Sequence, residues 1–222
     1  MSRVFIDSNI RNVSSLPIVA ILGVAPLVGL GIRFDLALTF ALITLVVVPL
    51  TVILLHVLRD LTDDTWLGSW CMLIAGFWVT LAEMALRLLN PAILDNIGLY
   101  LPVLAVSPLV MIQVQLVRKH EAFGELMRES GSLVLVFSLL LSGSAVVREF
   151  LGNGTITLIA TAGDSLQLVI PGLSAFPLAL LASAAGGMLL LGFILAFRNW
   201  LVLRSESNHA DTPAESEKGD RV

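Results

Sequence analysis

The chain has a single cysteine, Cys71, among its 222 residues. One thiol excludes a disulfide within the chain and any metal site built from several of its own cysteines. Charge is scarce as well: 14% of residues are Asp, Glu, Lys or Arg, and they stand between long uncharged runs. The net charge is −4 and no basic stripe with interleaved aromatics occurs, so no nucleic acid is expected as a partner. A metal-ligand cluster, a glycine-rich phosphate-binding loop and a nucleophile elbow are all missing, which leaves no basis for a hydrolase. The basic start before an apolar segment suggests a signal peptide. No small-residue cleavage site follows it, so an uncleaved first span is expected.

What the chain has in quantity is apolar sequence. Hydrophobic residues make up 57% of it and the mean hydropathy is +0.93, a balance that fits membrane helices joined by short loops. One stretch recurs: LGVAPLV at 22–28 returns as LAVSPLV at 104–110. Leucine and valine matches are common in so apolar a chain, and the repeated proline, Pro26 and Pro108, carries the weight. A proline in mid-span removes a backbone donor and clashes with the preceding turn, so each is expected to break its helix. Gly23, Pro26 and Pro108 are the broken-helix residues. Broken helices at matching places in two halves of a membrane protein point to a site near the bilayer midplane.

The apolar runs predict six spans, at about 16–32, 36–58, 66–89, 97–117, 131–150 and 175–201. The first holds Pro17, Gly23, Pro26, Gly29 and Gly31, a density that suits a half-helix packed inside protein. Arg33 and Asp35 mark the turn to the second span, near whose end His56 is expected to face water. Asp63 or Asp64 is placed to cap the third span, and Trp66 and Trp70 suit its interfacial entry. Glu83 and Arg87, four apart, share a helix face and are a candidate intramembrane ion pair directed at the protein interior. Asn90-Pro91 ends that helix. Gln113 or Gln115 is placed to bond a neighbouring helix, and residues 118–130 read as a short surface helix. Ser138, Ser142, Gly143, Ser144 and the pair Gly186-Gly187 suggest close helix packing. REFLGNGT at 148–155 closes the fifth span with a charged pair and a glycine-rich turn, and 156–174 reads as an external loop.

Six spans divide into two groups of three, each opening with a broken helix, and an odd number of spans inverts the second copy. The expected fold is an all-α integral membrane protein of two inverted three-helix repeats, about 16–89 and 97–201, with broken first and fourth helices. Residues 1–15 form a cytoplasmic arm and 204–222 a disordered tail. Lys and Arg sit mainly on one side: eight near the membrane on the even side face three (Arg33, Arg87 and Arg148) on the other. The positive-inside tendency then places both termini in the cytoplasm.

This pattern resembles the six-span membrane subunits of the Rnf and Nqr respiratory complexes over roughly residues 16–200. REFLGNGT is similar to a segment of the RnfE/NqrD branch, as are Glu121, Ala122 and Phe123; Glu83-Met84 with Arg87 is similar to the RnfA/NqrE branch. The resemblance implies a multi-pass inner-membrane subunit beside an RnfA/NqrE-like paralogue of opposite topology. It also implies a complex that couples electron transfer from ferredoxin or NADH to Na⁺ or H⁺ transport. In the family, a cysteine in each broken helix helps to hold an iron-sulfur centre. Here those positions read Ala25 and Ser107, so the expectation is a scaffold or ion path with no cofactor, the iron-sulfur site being lost. A small secondary transporter using the same inverted repeat is the alternative, and a purely structural membrane protein a third.

Overall fold

The computed structural model describes residues 24–120, 122–153, 155–160, 165–169 and 183–210. The expected N-terminal arm, Pro17 and Gly23, Glu121, residues 154, 161–164 and 170–182 (the last including the start of the expected sixth span), and residues 211–222 lie outside them. The described elements are α1 (Val24–Leu30), α2 (Phe34–Arg59), α3 (Leu67–Leu89), α4 (Pro91–Ile97), α5 (Tyr100–Ala105), α6 (Pro108–Lys119) and α7 (Phe123–Asn153). A hairpin follows, β1 (Thr155–Ala160) and β2 (Ser165–Val169), and then α8 (Ala184–Ala210).

Among the described residues, four stretches are long and apolar enough to cross a membrane: α2, α3, the pair α5–α6 taken as Tyr100–Lys119, and α7. They coincide with the expected second to fifth spans. α2 shows why these segments are helices of a membrane and not of a soluble core. Phe40, Ala41, Thr44, Val47, Val48, Thr51, Val52 and Leu55 form its buried face, yet Leu42, Leu45, Val46, Ile53 and Leu54 on the opposite side are apolar and exposed. Its hydroxyls are satisfied locally, Thr44 and Thr51 donating to the carbonyls of Phe40 and Val47 at 2.8 Å. α2 packs most extensively along α7, antiparallel to it. The Phe123 ring lies 5.5 Å from that of His56 at one end, Ser138 donates to the Ala41 carbonyl at 3.4 Å, and Glu149 meets Phe34 at the other end. α3 packs on the second side of α2 and against α5 and α6.

The structure differs from the sequence reading in several places. The expected surface helix at 118–130 is not separate: from Phe123 it is continuous with the fifth span through Gly131. One interior glycine costs only about 1 kcal/mol relative to alanine, too little to break a long helix. α8 begins at Ala184 behind Ser183, whose hydroxyl accepts from Gly186 N–H at 3.4 Å, and its apolar part covers Ala185–Phe197. It then runs to Ala210, past the boundary expected at Arg204, because no glycine or proline interrupts the chain between Gly192 and Pro213. Asp63 and Asp64 do not cap α3; Trp66 is the N-cap residue and makes no side-chain cap bond. Gln113 is buried and donates to Leu109 of its own helix at 3.2 Å, and Gln115 is exposed. Gly143 is exposed, with nothing within 4 Å of an added Cβ. The segment expected as an external loop contains an antiparallel strand pair joining Thr155 with Val169 and Ala160 with Ser165, outside the four spans.

Candidate functional site

The fourth span breaks where the repeated motif places the break. α5 ends at Ala105, Val106 leaves helical geometry, and α6 restarts at Pro108. Pro108 stands at the first helical position, where its missing N–H removes no helical bond. Ser107 is the N-cap: its backbone is extended and its hydroxyl accepts from Val110 N–H at 3.4 Å. In the first copy, α1 carries Ala25 in its first turn and a buried Pro26.

The two copies meet. Pro26 and Ser107 line one cavity with Phe40, Tyr100, Leu104 and Phe137, and its volume is about 10 Å³. One turn further along α1 the contact tightens, because Tyr100 lies directly on Gly29. A Cβ at Gly29 would collide with the Tyr100 hydroxyl and ring, so any larger residue there must displace the tyrosine. Cys71, distant in sequence from both motifs, is fully buried nearby in space; its thiol donates to the Val110 carbonyl in the first turn of α6 at 3.6 Å.

A second set of residues holds this junction in place, and sequence reasoning sees it only as a charged pair closing a span. Arg148 and Glu149, at the end of α7, are each 1% exposed. Arg148 donates to the Val28 carbonyl in the last turn of α1 at 3.0 Å and to the Ser183 carbonyl ahead of α8 at 2.8 Å. Glu149 accepts from Phe34 N–H, the first residue of α2, and from Thr157 N–H of β1, both at 2.6 Å. At α1 and α2 the signs match the helix ends: the guanidinium meets the Val28 carbonyl at the negative end of α1, and the carboxylate meets a free N–H at the positive end of α2. At the start of α8 the guanidinium is held by the Ser183 carbonyl and not by the helix dipole. Gly187 of α8 packs on the guanidinium, where an added Cβ would lie 2.9 Å from Nη1; the expected close packing at Gly186-Gly187 is found here. Asp35 is buried beside this junction and takes a two-pronged contact from Arg33, at 3.1 and 2.7 Å. The available signal was the cost of two ionisable groups at the end of an apolar run. Their partners in α1 and α2 lie 120 and 115 residues away, and local pattern could not supply them.

Glu83 and Arg87 pair as expected, at 3.3 Å, but not toward the protein interior. Their side chains are 34% and 70% exposed on the outer face of α3. The core side of α3 is already filled by Leu67, Cys71, Ile74, Ala75 and Val79, which leaves a long charged pair no interior space. Among the described residues no group of three His, Cys, Asp or Glu side chains is placed to hold a metal.

Apolar spanning helices, a break at Ser107 and a buried charged staple tying helix ends together define a multi-pass membrane protein with a discontinuous helix. The family described as "Rnf-Nqr subunit, membrane protein" matches residues 2–195. The chain belongs to this family. Among its relatives, the E subunit of the ion-translocating oxidoreductase complex of Buchnera aphidicola subsp. Schizaphis graminum is 27% identical over 201 residues, 87% of each chain. The protein of the same name from Buchnera aphidicola subsp. Acyrthosiphon pisum is 24% identical over 205 residues, 89% of this chain and 88% of the relative. The E subunit of the Na(+)-translocating ferredoxin:NAD(+) oxidoreductase complex of Acetobacterium woodii is 22% identical over 183 residues, 82% of this chain and 88% of the relative.

Proposed function

We propose that this chain is a divergent membrane subunit of an Rnf/Nqr-type ion-translocating electron transport complex, serving as scaffold or ion path without a redox centre of its own. The family match along nearly the whole chain, and relatives named as the E subunit of such complexes, support the first half. The second half rests on donor chemistry. Alanine has no atom that can ligate iron, and the Ser107 hydroxyl is a hard oxygen already engaged as the N-cap of α6. The residues present therefore do not fit an iron-sulfur centre, and no electron-transfer step runs through Ala25 or Ser107 in this reading.

In the same reading the fold is six spans in two inverted repeats, in the inner (cytoplasmic) membrane, with both termini cytoplasmic and an RnfA/NqrE-like paralogue as neighbour. The transporter alternative needs room for a solute at the broken helices; the cavity there, about 10 Å³, is close to what one water requires.

Iron analysis of the complex purified from its own membranes tests the proposal. No iron attributable to the broken helices is expected, and Ala25→Cys with Ser107→Cys is expected to recover iron beside a partner that keeps its cysteines. Stoichiometric iron in the unmodified complex, located spectroscopically between these helices, overturns it.

A further inference from the structure

The bare face of α3 carries the inference. Of the four long apolar stretches, α3 is the least covered, with 22% of its apolar window buried against 39% to 50% in the others. Much of its outer side is ordinary lipid-facing surface, with Trp70, Phe77, Met84 and Leu88 exposed. Beside them runs a stripe of another kind. Gly76, Thr80, Glu83 and Arg87 recur at helical spacing and share one face. An added Cβ at Gly76 would meet nothing within 4 Å, and Thr80 turns its hydroxyl to the Gly76 carbonyl at 2.8 Å.

Depth decides what the charged end of that stripe meets. α3 is about 35 Å long at 1.5 Å per residue, against a hydrocarbon layer of about 30 Å. Glu83 stands about 9 Å from the Leu89 end, hence roughly 6 Å inside the apolar layer when the helix is centred in it. Arg87 reaches the headgroup level from there, but the carboxylate does not. Their one bond joins Nη2 of Arg87 to Oε1 of Glu83, and the acceptor sites of Oε2 stay available to another donor. An ionised group at that depth needs protein or water beside it, since hydrocarbon supplies neither a donor nor a high dielectric.

We infer that this stripe is the docking face for a transmembrane helix of another subunit, one that brings a hydrogen-bond donor to the level of Glu83 and a small residue against Gly76. A lipid acyl chain covers apolar surface but brings no donor to a carboxylate. A helix brings both a close backbone approach and a polar side chain, the combination that joins helices within membranes. The inference rests on the reading of the chain as a subunit of a complex.

The test compares wild type, Gly76→Leu and Gly143→Leu, each tagged and purified from native membranes in mild detergent, with the accompanying subunits identified and quantified by mass spectrometry. Gly143 is an exposed α7 position whose added Cβ also meets nothing, so it supplies equal bulk away from the stripe. At least a tenfold loss of accompanying subunits is expected for Gly76→Leu and less than a twofold change for Gly143→Leu, both variants melting like wild type when expressed alone. In parallel, dicyclohexylcarbodiimide, a lipid-soluble carboxylate reagent, is expected to modify Glu83 at least tenfold less in the wild-type complex than in the wild-type chain alone in vesicles. Unchanged subunit retention with Glu83 equally reactive in both preparations means that lipid covers this face and overturns the inference. Disulfide-linked pairs of Gly76→Cys chains overturn it in favour of a second copy. Wild type that purifies without any other subunit defeats the subunit reading itself, a separate result from loss of the docking face.

Discussion

Replacing Glu149 by glutamine keeps the shape of the side chain and removes its charge, and the structure sets the cost. The carboxylate accepts two backbone N–H groups at 2.6 Å, from Phe34 and Thr157, in a site 1% exposed. Glutamine has one oxygen, so one of those N–H groups is left facing an amide NH₂, buried and without an acceptor, at a cost of about 1–3 kcal/mol. The surviving bond loses its charge assistance, about 1 kcal/mol. Loss of an anion at the start of α2 adds on the order of 0.5–1 kcal/mol. The expected destabilisation is about 2–5 kcal/mol, which for a chain of this size lowers the melting midpoint on the order of 5–15 °C. Cys71 supplies the assay without engineering, being the only thiol and fully buried; a fluorogenic maleimide reports its exposure as detergent-solubilised protein unfolds. Glu83→Gln is the matched control, because Glu83 stands on the outer face of α3 and bonds only the Arg87 side chain, so the change leaves no buried backbone N–H without an acceptor. If Glu149→Gln melts no lower than Glu83→Gln, the staple does not hold the junction.

Two further outcomes are expected. Gly29→Ala drives a Cβ into Tyr100 and should destabilise the isolated chain by about 1–3 kcal/mol, whereas Gly29→Ala with Tyr100→Ala should cost less than the sum of the two single changes in the same thiol-exposure assay; strict additivity would mean the ring and the glycine do not touch. Cysteines introduced singly at Ser2 and Asp164 should react with impermeant maleimides from opposite sides of the membrane, the first only after permeabilisation of cells, and labelling of both from one side would refute six spans.

The four central spans were legible because each is a long apolar run closed by charge or by Asn-Pro. The break at Ser107-Pro108 was legible from the repeated motif and not from proline alone, since Pro49 stands inside the unbroken α2. The pairing of Glu83 with Arg87 was legible too, since a spacing of four fixes neighbours on a helix; its direction was not, because which face of α3 is inward depends on where α2, α5 and α6 pack. The continuity of α7 was hidden by charges at 118–130 that look like a loop, although charge in solvent does not interrupt a helix. The hairpin alternates only weakly in TITLIA and SLQLV, and so reads as loop. Most of the candidate site was beyond local pattern, because Arg148 and Glu149 act through backbone atoms of elements brought together only by the fold.

Those two residues also impose an order on biosynthesis. Val28 and Phe34 are made long before them, but Thr157 follows Glu149 by 8 residues and Ser183 follows Arg148 by 35. While α7 is entering the membrane, the carbonyl ahead of α8 that Arg148 will hold has not yet left the ribosome. The end of α7 therefore reaches its final solvation only after the hairpin has formed and α8 has arrived. A chain released before Ser183 leaves one of the guanidinium's acceptors unmade and the grip on α1 weakened. In this way the last described helix supports the hold of Arg148 on the first described one.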